Sequence, residues 1–277
     1  MQRKNRKLTE KILELYPSGE CALEFSDAFE LLVASRLSAQ CTDVRVNIVT
    51  SEMFKKLKTP EDYAEADITE IENYIRSCGL YHTKARDIKA MSQMIIDDFG
   101  GKIPDNMDDL LRLPGVGRKI ANLIVGEVFG AKGAIVADTH CIRLSNRLGY
   151  CDSTNPAVVE RELRAVIPPE KSMLFCHALV SHGRKVCKAQ RPDCENCALK
   201  GDCVYARKKE KRKNPQNDVP YADCPSCLYY VFDEDYEEYM CSMYLDEDDI
   251  VRLQMRKNPS CPYYRNGDEY MTVRKQN

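Results

Sequence analysis

The sequence predicts an all-α body over roughly the first 206 of its 277 residues. Apolar residues recur there in amphipathic stretches, with the spacing of a buried helix face. Gly and Pro divide these stretches into segments of helical length. Few segments alternate with the period of two that is typical of half-buried strands. A bundle of helices joined by short loops is therefore expected.

The first predicted helix lies near the N-terminus, where Leu8, Ile12 and Leu15 share one face. Asp27 and Glu30 resemble a capping box at the start of the next one. Further amphipathic segments are predicted near 44–57, 67–76, 84–98, 106–112, 118–130, 138–148, 156–166 and 171–183. The predicted breaks between segments include Pro60, Gly100-Gly101 and Pro168-Pro169.

The overall composition is that of a globular protein, with 43% hydrophobic and 30% charged residues. No apolar run approaches the roughly 18 residues that a membrane span needs. The basic N-terminus lacks the apolar core of a secretory signal. We therefore expect an intracellular, cytoplasmic protein with no membrane span.

The net charge of -2 conceals two oppositely charged parts. Residues 214–277 contain 13 acidic and 6 basic residues, whereas residues 1–213 contain 30 acidic and 35 basic ones. A mildly basic body suits a nucleic-acid partner, although ordinary scatter of surface charge is an alternative. The stretch 207–220 is charged and then rich in Pro and Asn, which predicts a linker.

A tight turn with a lysine stands between two of the predicted helices, in the sequence LPGVGRK (113–119). Pro114, Gly115 and Gly117 indicate a helix-hairpin-helix element, in which glycines allow a DNA backbone to come close, although a purely structural turn is the alternative. The helix that follows starts with unpaired N–H groups, which suit a phosphate. Lys119 lies in its first turn, where the helix dipole and partial burial should ease deprotonation. A neutral amine is a nucleophile that forms Schiff bases, whereas the alternative is a solvated surface lysine.

The 14 cysteines include two groups of four. Cys187, Cys194, Cys197 and Cys203 lie within 17 residues, and four soft ligands on one loop suit either zinc or an iron–sulfur cluster. Cys224, Cys227, Cys241 and Cys261 form a second set in the acidic region, with an irregular spacing. For this set we expect a metal, zinc ahead of a second iron–sulfur site.

Three segments together carry a family resemblance: LPGVGRKIAN, VADTHCIRLSNRLG and HGRKVCKAQRPDCENCALKGDC. Over residues 8–206 they closely resemble endonuclease III of the helix-hairpin-helix DNA glycosylase and AP lyase superfamily. The resemblance implies that Lys119 attacks C1′ of a damaged nucleotide, while Asp138 activates the lysine or stabilises the sugar cation. Without the family resemblance, Asp138 would be interpreted as a helix N-cap. It also implies a [4Fe–4S] cluster on the first cysteine set.

The same resemblance implies how the enzyme would grip DNA with a flipped-out nucleotide. Gln40, in SAQCTD, would fill the gap left by the extruded base, and Leu80, in CGLYHTKA, would wedge into the duplex. The full set of implied DNA contacts is Gln40, Leu80, Gly115, Val116, Gly117, Arg118, His140 and Arg184. Arg36 stands in an otherwise apolar helix and is expected to meet either DNA or a neighbouring acid.

The family architecture implies two helical lobes with DNA between them. A six-helix lobe would span 22–132, and a cluster lobe would combine 1–21 with 133–206. The region 221–277 departs from the usual endonuclease III chain and would form a separate module after the linker. Its acidity favours a protein partner or a regulatory role over direct DNA binding. The expected substrate is duplex DNA that carries oxidised pyrimidines or abasic sites.

Two other functions compete with a glycosylase/lyase. An adenine glycosylase needs a glutamate near Arg36 and lacks the hairpin lysine, so it fits poorly. A non-catalytic DNA-binding protein with a partner-recruiting tail is disfavoured because both Lys119 and Asp138 are present.

Overall fold

The computed structural model describes residues 2–211, 224–233, 238–243, 261 and 263–265. The chain divides into two units, Met1–Lys213 and Asn214–Asn277. The predicted all-α character is confirmed for the first unit, whose described part contains twelve α-helices. They are α1 (Gln2–Leu15), α2 (Ala28–Leu37), α3 (Asp43–Lys56), α4 (Pro60–Glu65), α5 (Ile68–Ile75), α6 (Tyr81–Phe99), α7 (Met107–Leu110), α8 (Arg118–Glu127), α9 (Thr139–Leu148), α10 (Pro156–Arg164), α11 (Ser172–Lys185) and α12 (Val204–Lys211).

Short polar side chains explain where most of these helices begin. The N-caps of α2, α3, α5, α7, α9 and α10 each accept a hydrogen bond from a backbone N–H of the first turn. The predicted capping box at Asp27 is half formed, because Glu30 accepts from the Ser26 N–H and hydroxyl rather than from the cap.

The sequence did not predict α4 and α12. Pro60 was expected to separate helices, but it is the first residue of α4, where its missing N–H costs nothing. A complete capping box formed by Thr59 and Asp62 fixes this start.

The helix α12 continues through Lys211, so the first five residues of the predicted linker are helical. The remainder of that linker, 212–220, lies outside the described residues.

The helices of the first unit fall into two packing groups. In one group, α4 and α5 pack on α6, while α2 packs against α3, α6 and α8. In the other, α1 packs on α11, and α9 contacts α10, α11 and α12. Within the described residues, no helix combines the length and apolar character needed to cross a membrane.

The described part of the second unit contains a β-hairpin. Strand β1 (Tyr230–Asp233) pairs antiparallel with β2 (Glu238–Cys241), and Tyr230 lies opposite Cys241. A 3-10 turn, Cys224–Ser226, precedes β1. The acidic run 246–249 lies outside the described residues.

Candidate active site and DNA interface

The hairpin between α7 and α8 presents free backbone donors. A hydrogen bond from Val116 N to Leu113 O closes the turn at 3.1 Å, and Val116 is buried beneath it. The helix α8 begins at Gly117 without a side-chain cap. Within the described residues, the N–H groups of Gly117, Arg118 and Lys119 donate to no protein acceptor. Three adjacent donors at a helix start form an anion site.

The two hairpin glycines have different surroundings and different structural roles. Gly117 is exposed, and a Cβ built on it would meet nothing within 4 Å, so a DNA backbone could approach there. Gly115 has φ +73°, and its Cβ would lie 2.6 Å from Arg36 Nε and 2.8 Å from Asp87 Oδ2. Only Gly117 therefore matches the expectation that glycine admits DNA, whereas Gly115 accommodates an ion pair of the protein.

Lys119 is exposed, which corrects the expected partial burial. It lies in the first turn of α8, beside the three free N–H groups. Within the described part of the chain, its side chain makes no hydrogen bond or ion pair with Asp138 or with any other residue. The amine is therefore available to a substrate held at the helix start.

Arg118, expected at DNA, is engaged by an acid of the protein. Its Nε and Nη2 donate to both carboxylate oxygens of Glu160, at 2.8 and 2.9 Å. Glu160 is 4% exposed and also pairs with Arg164. Hydrogen bonding to this carboxylate raises the pKa of Arg118. A phosphate must therefore compete with Glu160 for the guanidinium.

Asp138 is the N-cap of α9, as its alternative reading predicts. Its Oδ1 accepts from Cys141 N at 2.6 Å, while Oδ2 accepts no hydrogen bond from the described residues and lies 4.0 Å from His140 Nδ1. The side chain is 21% exposed. The cap thus orients one oxygen inward and leaves a second one for chemistry.

Two other implied DNA contacts are placed differently from the expectation. His140 is buried at 2% exposure, so its side chain presents almost no surface to a DNA partner, and its contact with DNA stays a prediction. Arg184 donates from Nη2 to Asp43 Oδ2 at 2.6 Å, which partly neutralises it at the start of α3. Both side chains support the fold around the site.

Gln40 and Leu80 share an unusual backbone conformation. Their φ angles are +52° and +47°, and Arg191 is the one other non-glycine residue with positive φ in the described chain. Such residues cost about 1–2 kcal/mol each and are frequent at functional sites. The strain falls on the two residues that were expected to enter the duplex.

A buried lysine joins the segments that carry these two residues. Lys84 is fully buried and donates from Nζ to Leu37 O at 2.9 Å and to Cys78 O at 2.8 Å. The neighbouring Cys78 thiol and the Lys84 ammonium lower the pKa of Cys41 below its usual range, whereas the Cys41 thiol and burial raise the pKa of Cys78.

The sequence reading missed Lys84, although a signal was present. Lys84, Ile88, Met91 and Ile95 follow one another at helical spacing, and all are buried in α6. A lysine in such a stripe must find acceptors inside the protein.

The first cysteine set lines a single pocket. Cys187, Cys194, Cys197 and Cys203 surround it, together with apolar side chains such as Leu148 and Val186. No group of three or more Cys, His, Asp or Glu side chains in the described residues is arranged to hold one metal ion. Four thiols around an apolar pocket are the donor set that would hold a [4Fe–4S] cluster.

Arg147 organises this pocket. Its guanidinium donates to Cys187 Sγ at 3.4 Å and to the carbonyl oxygens of Lys188 and Ala189 at 2.7 and 2.6 Å. Its own carbonyl accepts from Cys203 Sγ at 3.3 Å. A fixed cation beside thiolates stabilises their charged form.

The second cysteine set lies in two turns and a strand. Cys227 N donates to Cys224 O, and Tyr264 N donates to Cys261 O. A hydrogen bond of 2.8 Å between the Ser226 and Tyr264 hydroxyls joins the two turns. These thiols are not arranged as a metal-ligand group as they stand.

Comparison with known proteins gives two family matches. Residues 33–169 match the HhH-GPD superfamily base excision DNA repair protein family. Residues 221–277 match a domain of unknown function, DUF6472.

Known relatives match this chain over nearly their whole length. The chain is 45% identical over 204 residues to endonuclease III of Bacillus subtilis, a match that covers 73% of this chain and 93% of the relative. It is 36% identical over 205 residues to endonuclease III of Escherichia coli, covering 74% and 97%. Its fold resembles a solved non-covalent endonuclease III–DNA complex with a TM-score of 0.73 and 41% identity, covering 76% of this chain and 99% of that one.

Proposed function

Because the chain belongs to the endonuclease III family of base-excision repair enzymes, we propose that Lys119 and Asp138 carry its glycosylase and lyase chemistry on oxidised pyrimidines. The free Lys119 amine beside three unpaired N–H groups carries this assignment. DNA phosphate bound at the helix start would place the adjacent sugar near the amine. Gln40 and Leu80 would hold the duplex open.

The reaction would begin with attack of Lys119 Nζ on C1′ as the bond from C1′ to the base breaks. The free Asp138 Oδ2 would stabilise the positive sugar or accept the ammonium proton, and the departing base would take up a proton. Ring opening then gives an imine, which acidifies the C2′ protons. Loss of one such proton breaks the C3′–O bond, and hydrolysis frees the lysine.

Borohydride trapping on a duplex with an abasic site tests these roles. The native chain should give a covalent adduct and Lys119→Gln none, while Lys102→Gln serves as the control because Lys102 is also exposed. Asp138→Asn should slow trapping about 10²–10⁴-fold. Asparagine also caps helices, so the fold should survive. Absence of an adduct with the native chain would favour a non-catalytic DNA-binding protein.

Cys187, Cys194, Cys197 and Cys203 would hold a [4Fe–4S] cluster, as their pocket permits. The cluster would replace a hydrophobic core at this end of the unit. Absorbance near roughly 400 nm together with iron analysis tests this proposal. A colourless protein that contains only zinc would refute it.

For the acidic module we propose a zinc ion on Cys224, Cys227, Cys241 and Cys261. The hydrogen bond between the two cysteine turns supports it, and so does the difficulty of stabilising so small a unit by a core alone. In the full chain, Cys224→Ser combined with Cys227→Ser should remove zinc and leave iron unchanged. Cys21→Ser is the control, since Cys21 lies outside both sets. Equal zinc in all three proteins would contradict the proposal.

The acidity of 221–277 argues for a protein partner rather than DNA. Deletion of this module should leave trapping and DNA affinity largely intact. Loss of activity would mean that the module belongs to the active fold. A monomeric state and cytoplasmic, nucleoid-associated location remain predictions.

A further inference from the structure

A single buried arginine lies under the catalytic hairpin. Arg36 in α2 is 6% exposed and is the only arginine among the buried residues of the described chain. Its Nε and Nη2 both donate to Asp87 Oδ2 in α6, at 2.6 and 2.5 Å. Isolated ion pairs of this kind add little net stability, because desolvation offsets their attraction. A role in fixing geometry accounts for the pair better than a role in stability.

The hairpin backbone rests directly on this pair. A Cβ at Gly115 would lie 2.6 Å from Arg36 Nε, 2.8 Å from Arg36 Cδ and 2.8 Å from Asp87 Oδ2. Gly115 therefore touches both charged groups at once. Any shift of the pair moves the support under the turn that leads into α8, where Lys119 follows four residues later.

The same pair also ties together the two helices that lead to the DNA-probing residues. Arg36 lies in the last turn of α2, one turn before Gln40. Asp87 lies in α6, two turns after Leu80. The contact thus joins three segments: those that carry Gln40 and Leu80, and the hairpin that carries Lys119.

We propose that the Arg36–Asp87 ion pair positions the Lys119 hairpin relative to the two DNA-probing segments, so that the amine reaches C1′ only when the duplex is correctly held open. This inference rests on the proposed function of Lys119. Arg36 and Asp87 act through the hairpin and are positioning residues. Displacement of a nucleophile by about 1 Å lowers rates by up to about 10²-fold.

Three proteins with substitutions test the proposal, each measured in three ways. Asp87→Asn removes one charge, Arg36→Leu combined with Asp87→Leu removes both, and Ile95→Val is a control that weakens the core of the same helix α6. For each we would measure Tm, the Kd for a duplex with an unreactive abasic-site analogue, and the trapping rate with protein in saturating excess over abasic DNA.

Asp87→Asn should lower the saturated trapping rate roughly 10- to 100-fold with little change in Kd. The double substitution should regain Tm, because neither charge is left unpaired, but it should keep the low rate. Ile95→Val should lower Tm and leave the rate unchanged.

Three results would overturn the positioning role. They are a native rate in the double variant, a native saturated rate in Asp87→Asn, and a loss that appears only in Kd. A different outcome, no adduct with the unsubstituted protein, would reject the proposed function itself before any variant is compared.

Discussion

Replacing each hairpin glycine by alanine should separate the structural glycine from the DNA-facing one. At Gly115 (φ +73°) the left-handed conformation costs an alanine about 1–2 kcal/mol. Its Cβ would also push into Arg36 Nε at 2.6 Å, and overpacking of this kind costs about 1–3 kcal/mol. Gly115→Ala should therefore lower the free energy of unfolding by about 2–5 kcal/mol.

Gly117 offers the matched substitution. Its φ is -92°, and nothing lies within 4 Å of the added Cβ, so Gly117→Ala should cost at most about 1 kcal/mol. The methyl group would instead meet the approaching phosphate and weaken DNA binding on the order of tenfold, about the loss of one charge-assisted hydrogen bond. Urea denaturation and fluorescence anisotropy on an abasic-analogue duplex measure the two effects. Equal destabilisation by both substitutions, or unchanged DNA affinity in Gly117→Ala, would refute this division of roles.

Three further substitutions test other parts of the structure. Lys84→Met should lower the free energy of unfolding in urea by about 1–3 kcal/mol, because two buried carbonyl groups lose their donor; an unchanged midpoint would contradict the clamp. Glu160→Gln should release Arg118, which could then contact a DNA phosphate. The slope of log K against log salt concentration should become steeper by the amount expected for about one added phosphate contact, as measured by titrations at several salt concentrations. An unchanged slope would mean that Arg118 does not reach a phosphate. Hydrogen bonds from backbone N–H groups lower the pKa of Asp62 below its ordinary 3.8, so its contribution to stability is present above that pH and is lost as the pH falls through the folded-state value. Asp62→Asn should thus flatten the acid limb of a plot of Tm against pH, and identical limbs would argue against this role of the capping box.

Local signals were sufficient to predict most of the helices. A short polar side chain before an apolar stripe, such as Thr42 before α3 or Asn155 before α10, fixes a helix start within a few residues of sequence. The predicted position of Asp138 as an N-cap needed no more than this. Errors arose because proline can either interrupt a helix or begin one. Pro60 was interpreted as a break between helices, although its fixed φ also suits the first position of a helix, which is where it lies in α4.

The chemistry of individual residues was less accessible, because it depends on partners far along the chain. Arg36 finds its acid 51 residues away, and Arg118 finds Glu160 42 residues away. No periodicity predicts either pairing. The exposure of Lys119 and the burial of His140 likewise depend on how the helices pack against one another. Motif resemblance identified these positions, and only the fold shows how each one is held.

The positions of strain and of buried charge follow one physical logic. A strained residue such as Gln40 or Leu80 keeps its left-handed backbone only if contacts with its surroundings offset the energy of the strain. The buried Lys84 ammonium supplies that rigidity, since it is shielded from solvent and donates to carbonyl groups on both segments. The Arg36–Asp87 pair does the same for the hairpin, with Gly115 resting upon it. Buried cations therefore hold the flanks of the site, while Lys119, the proposed nucleophile, stays exposed.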